Sequence, residues 1–158
     1  MLNCFSIKRN QIFIFCVILT HFFACKKDKI DDFPFISATI DGIQHSFTKD
    51  VAASKGSQGS IQLFLIGNDG QDAIAFALSD TTTGDYSELN TPSQGKVLNV
   101  QLITLQGLHR SVMDNTDPCK LTITTINSKY VEGYFNGTLV GQSTKKLTNG
   151  KFIVYFYY

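Results

Sequence analysis

From residue 33 onward the chain alternates apolar and polar residues, and no window of 12 or more residues there keeps a helical apolar period. A period of 2 places successive side chains on opposite faces of a β-strand. In Phe35-Ile36-Ser37-Ala38-Thr39-Ile40, the residues Ile36, Ala38 and Ile40 share one face. Asp41-Gly42 follows, a dipeptide preferred in type I′ turns because Gly takes a positive φ without a Cβ clash. Ile43, His45 and Phe47 then alternate on the return. This pattern predicts a β-hairpin.

Further strands follow by the same rule. Residues 53–60 are rich in Gly and Ser and read as a loop, after which Ile61-Gln-Leu-Phe-Leu-Ile66 reads as a strand. Asn68-Asp-Gly-Gln-Asp72 turns the chain into Ala73-Ile-Ala-Phe-Ala-Leu78. There Ile74, Phe76 and Leu78 occupy one face and three alanines the other, as in a central strand with a core face and a closely covered one. Residues 97–105 form another strand, whose apolar parity shifts between Leu102 and Ile103 and so predicts a β-bulge. Leu121-Thr-Ile-Thr-Thr-Ile126, residues 130–140 and residues 151–158 complete the set. Val131, Gly133, Phe135, Gly137 and Leu139 keep parity across Asn136-Gly137, which predicts one unbroken strand there. Asn149-Gly150 is expected to be the last hairpin turn, with Phe152, Val154 and Phe156 on the core face behind it. The count is about eight strands, and their turn spacing suits a sandwich or barrel. The expected fold is an all-β antiparallel β-sandwich spanning residues 33–158 as one domain.

The amino-terminal 32 residues follow a different rule. Lys8 and Arg9 precede an apolar run over residues 12–24, and Lys26-Lys-Asp-Lys29 ends it abruptly. A membrane-spanning helix needs about 20 apolar residues, whereas a secretory signal needs about 7–15 after a basic start. Residues 1–24 therefore read as a signal peptide and residues 25–32, nearly all charged, as a tether. Phe22-Phe-Ala-Cys25 resembles a bacterial lipobox, which implies lipidation of Cys25. Phe22 stands where Leu is usual, so ordinary signal cleavage or a retained anchor is the alternative. Acyl chains add about 0.8 kcal/mol per buried CH₂, enough for several together to hold a small domain on a membrane. Lys26 after the cysteine implies, by the same resemblance, the outer membrane.

Composition narrows the classes. The 158 residues are 43% hydrophobic and 17% charged, with a net charge of +1. Nothing in that balance suggests nucleic-acid binding. Losing residues 1–24 removes Lys8 and Arg9 and no carboxylate, so the mature chain carries −1. Of four cysteines, Cys4 and Cys16 leave with the signal and Cys25 takes lipid, so Cys119 has no disulfide partner within the mature chain. Stability must then come from a packed core.

Four features occur together: Cys25 with its lysine-rich start, Ile36-Ser-Ala-Thr-Ile-Asp-Gly42, Gly84-Asp-Tyr86, and the run from Leu121 to Phe156. That run holds Val131-Glu-Gly-Tyr-Phe135 and Leu147-Thr-Asn-Gly-Lys-Phe152. As a set they resemble uncharacterised outer-membrane lipoproteins of Bacteroidota. The resemblance implies an envelope location and a β-sandwich. It brings no activity and no site residues, and its motifs also have plain readings as turn glycines and alternating core residues.

Candidate chemistry is sparse. His45 and His109 are the only mature histidines, and no His-x-x-x-His or Cys-x-x-Cys spacing accompanies them. His45 shares parity with Ile43 and Phe47 and reads as a partly covered strand residue, so no metal site is expected. His109, beside Arg110, reads as a surface loop residue. Cys119 reads as a small buried thiol at a strand start. The turn oxygens of Asn68–Asp72 and Asp114–Asp117 could serve calcium, but they miss the EF-hand spacing, and Asp and Asn favour turns anyway. Asp80, Asp85, Glu88 and Glu132 could offer a hydrolytic carboxylate pair, yet no nucleophile elbow, phosphate loop or dinucleotide fingerprint is present. No catalytic residues and no cofactor are expected. Tyr155 and Tyr157, opposite the core face of the last strand, are the aromatic candidates for ligand contact. The expectation is a lipid-anchored binding or accessory module, not an enzyme, touching the membrane through its anchor and taking a glycan, peptide or envelope protein as ligand. A structural subunit joined through strand edges is the alternative, and an envelope hydrolase using Asp85, Glu88 and Glu132 a third.

Overall fold

A computed structural model describes residues 34–56, 62–112 and 116–157. The signal, Cys25 and the tether lie outside the described residues. The described chain is all β, with no helix, and its strands pair antiparallel apart from two isolated parallel bridges. Its eleven strands are β1 Phe35–Ile40, β2 Ile43–Phe47, β3 Lys49–Lys55, β4 Leu63–Asn68, β5 Ala73–Leu78 and β6 Gly84–Ser87, then β7 Leu98–Thr104, β8 Gly107–Arg110, β9 Lys120–Ile126, β10 Tyr130–Val140 and β11 Thr144–Tyr155.

All eleven belong to one hydrogen-bonded sheet, in the order β2-β1-β11-β10-β8-β7-β5-β4-β3, with β9 and β6 branching from the other half of β10. The two ends curl toward each other, and an isolated parallel bridge between Ala53 and Phe156 nearly closes a barrel. This corrects the expected sandwich: there are eleven strands instead of about eight, and one curled sheet instead of two stacked ones. Curling lets a single sheet bury one face against itself, which two stacked sheets would otherwise do for each other.

Parity decides the core. Ile36, Ala38, Ile74, Phe76, Leu78, Leu121, Ile123, Val131, Phe152 and Val154 are all essentially inaccessible. Phe76 meets Phe135 edge-on with centroids 4.7 Å apart. Phe156 is only partly buried against this cluster.

Three local expectations are corrected. Residues 49–55 form β3, and Ala53 is fully buried instead of sitting in a loop. β7 pairs with β5 and β8 in unbroken register, so there is no bulge at Leu102; Ile103 simply points outward at 53% exposure. Asn149-Gly150 does not turn the chain. It lies inside β11, where Asn149 takes φ 53° and the register with β10 slips between Phe135 and Gly137. The hairpin turn is at residues 141–143, and β10 runs unbroken through Asn136-Gly137 as its parity predicts.

Candidate functional site

Three turns meet at one end of the barrel. The first joins β1 to β2, where Asp41 and Gly42 both take positive φ, 50° and 86°, as a type I′ turn requires. The second joins β4 to β5. There the Asp69 Oδ1 accepts the backbone N–H of Gln71 at 2.9 Å and of Asp72 at 2.8 Å, an Asx turn that fixes the carboxylate. The third joins β7 to β8 through Leu105 and Gln106. Between them lies a groove of about 240 Å³, walled by Ile43, His45, Asp72, Leu105, Gln106 and the Asp41–Lys145 pair. Leu105 is 85% exposed and Ile43 66%, so the groove has apolar lips.

His45 and Asp72 bring charge to the groove wall, with Asp69 beside them. The His45 ring stacks on Phe47, with centroids 6.1 Å apart and planes 18° apart, which holds the imidazole on the β2 surface. Its Nδ1 lies 3.4 Å from Asp69 Oδ2 and 3.9 Å from Asp72 Oδ2. Partial burial raises the Asp69 carboxyl, but the two N–H donors and the His45 ring outweigh it, and the group sits below the ordinary carboxylate range. At the rim, Asp41 Oδ2 accepts Lys145 Nζ at 3.1 Å and its Oδ1 accepts the Lys146 N–H at 2.8 Å. His45 is thus half-buried as parity predicts, while Asn68–Asp72, read separately in the sequence, comes to lie beside it.

The other candidates stand apart. Tyr155 is half-buried against Tyr130, ring centroids 6.1 Å apart, and Tyr157 is exposed beyond the end of β11. His109 is fully buried on β8, correcting its placement in a loop; its ring Nδ1 lies 3.0 Å from Ser143 O. The sequence disguised it, because a polar residue at a core position gives no parity signal. Cys119 is buried immediately before β9, and burial pushes its thiol far up, away from thiolate chemistry. Asp85 accepts a hydrogen bond from Thr122 Oγ1 at 2.6 Å, and Asp80 caps Thr81 N–H at 2.6 Å. Glu132 is half-buried on β10. Glu88 is only 4% exposed, and neither carboxyl oxygen has a hydrogen-bond partner among the described residues.

No protein-family model, no curated protein and no solved structure matches the chain.

Proposed function

We propose that the protein is a lipid-anchored binding or accessory module of the outer membrane, and that the groove between the β1–β2, β4–β5 and β7–β8 turns is its ligand surface. Anchoring rests on the basic start, the apolar run and Cys25 of the sequence. Binding rests on one observation: two large apolar side chains, Ile43 and Leu105, stand exposed beside convergent polar groups. Concave surfaces that combine apolar contact with a few placed polar groups are how proteins hold small ligands and peptide segments. The ligand classes that fit are glycans and peptides, including loops of envelope proteins.

The test has two arms. In the first, wild type incorporates labelled palmitate and fractionates with membranes, and Cys25→Ser abolishes both; unchanged fractionation overturns the anchor. In the second, the full-length chain is screened on glycan and peptide arrays, and Ile43→Asp or Leu105→Asp removes the binding seen for wild type. Binding that survives both variants overturns the groove as the surface. Assembly through strand edges is a second reading, because β2 ends the strand path. Concentration-dependent polymerisation in size-exclusion chromatography would favour it.

A further inference from the structure

The convergence of His45, Asp69 and Asp72 has a chemistry of its own. One ligand atom from each lies within 4.8 Å of the other two. Two carboxylates in a turn are an ordinary solvated feature. An imidazole brought onto them from a separate strand, 24 residues earlier in the chain, is a different donor set. A tetrahedral zinc shell with bonds of about 2.0–2.1 Å has ligand–ligand edges of about 3.4 Å. His45 Nδ1 stands 3.4 Å from Asp69 Oδ2 and 3.9 Å from Asp72 Oδ2, so one edge has that length and a second is about 0.5 Å longer, a gap that a small side-chain rotation closes. All three side chains are half-buried, at 17–23% exposure, so they are partly desolvated yet reachable.

We propose that His45, Asp69 and Asp72 form a binding site for a divalent transition metal of the zinc class, with the remaining coordination position facing the groove. Asp69 binds through Oδ2 alone, because Oδ1 is engaged by the Gln71 and Asp72 N–H groups. Imidazole with carboxylates is a borderline nitrogen–oxygen set that suits zinc and its first-row neighbours. Calcium and magnesium are disfavoured, since they take six or more oxygens and no imidazole. Three protein ligands with one open position is the arrangement through which zinc engages an exogenous group. A bound ion would thus place a Lewis-acidic contact at the His45–Asp72 wall of the groove that Ile43 and Leu105 also line. This site does not depend on lipidation or on the identity of any organic ligand.

The experiment titrates Zn²⁺ into the full-length chain, stripped of metal by chelation and held in detergent, by isothermal calorimetry. Wild type should bind one equivalent, and its unfolding midpoint should rise with added Zn²⁺ by mass action. His45→Gln should abolish binding and Asp72→Asn should weaken it at least tenfold. Both should unfold near the wild-type midpoint in metal-free buffer. Asp72→Asn keeps the size of the side chain, so it decides the matter alone if His45→Gln destabilises the fold. Absence of saturable one-equivalent binding, or an unchanged affinity in Asp72→Asn, overturns the site. Ca²⁺ binding as tight as Zn²⁺ overturns the assigned metal class.

Discussion

The carboxylates at the open end of the barrel and that of Glu88, just after β6, obey opposite rules. Asp69 and Asp41 sit in turns, where backbone N–H groups point at them. Glu88 follows β6, shut in beside Ser111, Cys119 and Asp117, and among the described residues neither of its oxygens accepts a hydrogen bond of ordinary geometry. Hydrogen bonds to an ionised carboxylate hold its pKa down, and desolvation pushes it up. Asp69 and Asp41 are accordingly lowered and Glu88 raised. The difference separates a region able to receive a cation or polar ligand from one that merely tolerates a buried acid. It also separates open space from close packing.

Packing gives the largest expected effect. Gly42 at the open end and Gly137 on β10 both have positive φ, 86° and 137°. A Cβ on Gly42 would meet nothing within 4 Å, whereas on Gly137 it would fall 2.4 Å from Cys119 Cα and 2.9 Å from Cys119 Sγ. Gly137→Ala should therefore cost about 3 kcal/mol or more, from backbone strain and overpacking together. Gly42→Ala should cost about 1–3 kcal/mol, from strain alone. Urea unfolding of the two variants measures this. Equal losses would erase the contrast between a filled interior and an open rim.

The same contrast explains what could be read from the chain in advance. Alternation placed Ile36, Ala38, Ile40, Ile74, Phe76 and Leu78 in the core, because strands with one buried face must alternate. β3, β6 and β8 escaped detection for a physical reason. Val51 and Ala53 are the only buried side chains of β3, Tyr86 is the only one of β6, and the one of β8 is polar His109. Asn-Gly signals a tolerance for positive φ, which a bulge in β11 uses as readily as a hairpin would. Ile103 mimicked a parity slip because outward apolar residues look like misplaced core ones. The groove was illegible because His45, on β2, and Asp72, in the β4–β5 turn, meet only where the curl of the sheet brings strands that do not pair close to each other.

Glu88 gives the next effect. Its folded pKa lies above the 4.5 ordinary for a glutamate side chain, with burial as the leading cause. Folding therefore favours its neutral form. The associated stability is complete below pH 4.5 and is lost as pH rises through the raised folded pKa, then stays lost. Glu88→Met, similar in volume and without an acid, should stabilise by about 1–3 kcal/mol at pH 8, since it relieves an unsatisfied buried group. The gain should shrink toward pH 4. Thermal unfolding of both proteins across that range checks the slope, and a gain independent of pH would show that Glu88 titrates alike in the folded and unfolded chains, with no raised pKa.

Asp41 gives the smallest effect, with the opposite sign. The Lys146 N–H lowers its carboxyl pKa most, burial opposes it, and Lys145 adds to the lowering. A depressed folded pKa contributes stability above the unfolded value of 3.8, and that contribution disappears as pH falls through the folded value. The side chain is 41% exposed, so solvent screens the ion pair and the contribution stays below about 1 kcal/mol. Asp41→Asn isolates the charge. Asn tolerates the φ of 50° that the turn imposes, and its side-chain oxygen can still accept the Lys146 N–H. The variant should unfold slightly earlier than wild type at pH 7, and the gap should narrow as pH falls below 3.8. Its difference from wild type should thus fade on acidification, whereas that of Glu88→Met fades over the same direction with the opposite sign. Matching signs would mean that the two carboxylates share one kind of environment and that the distinction between rim and interior fails.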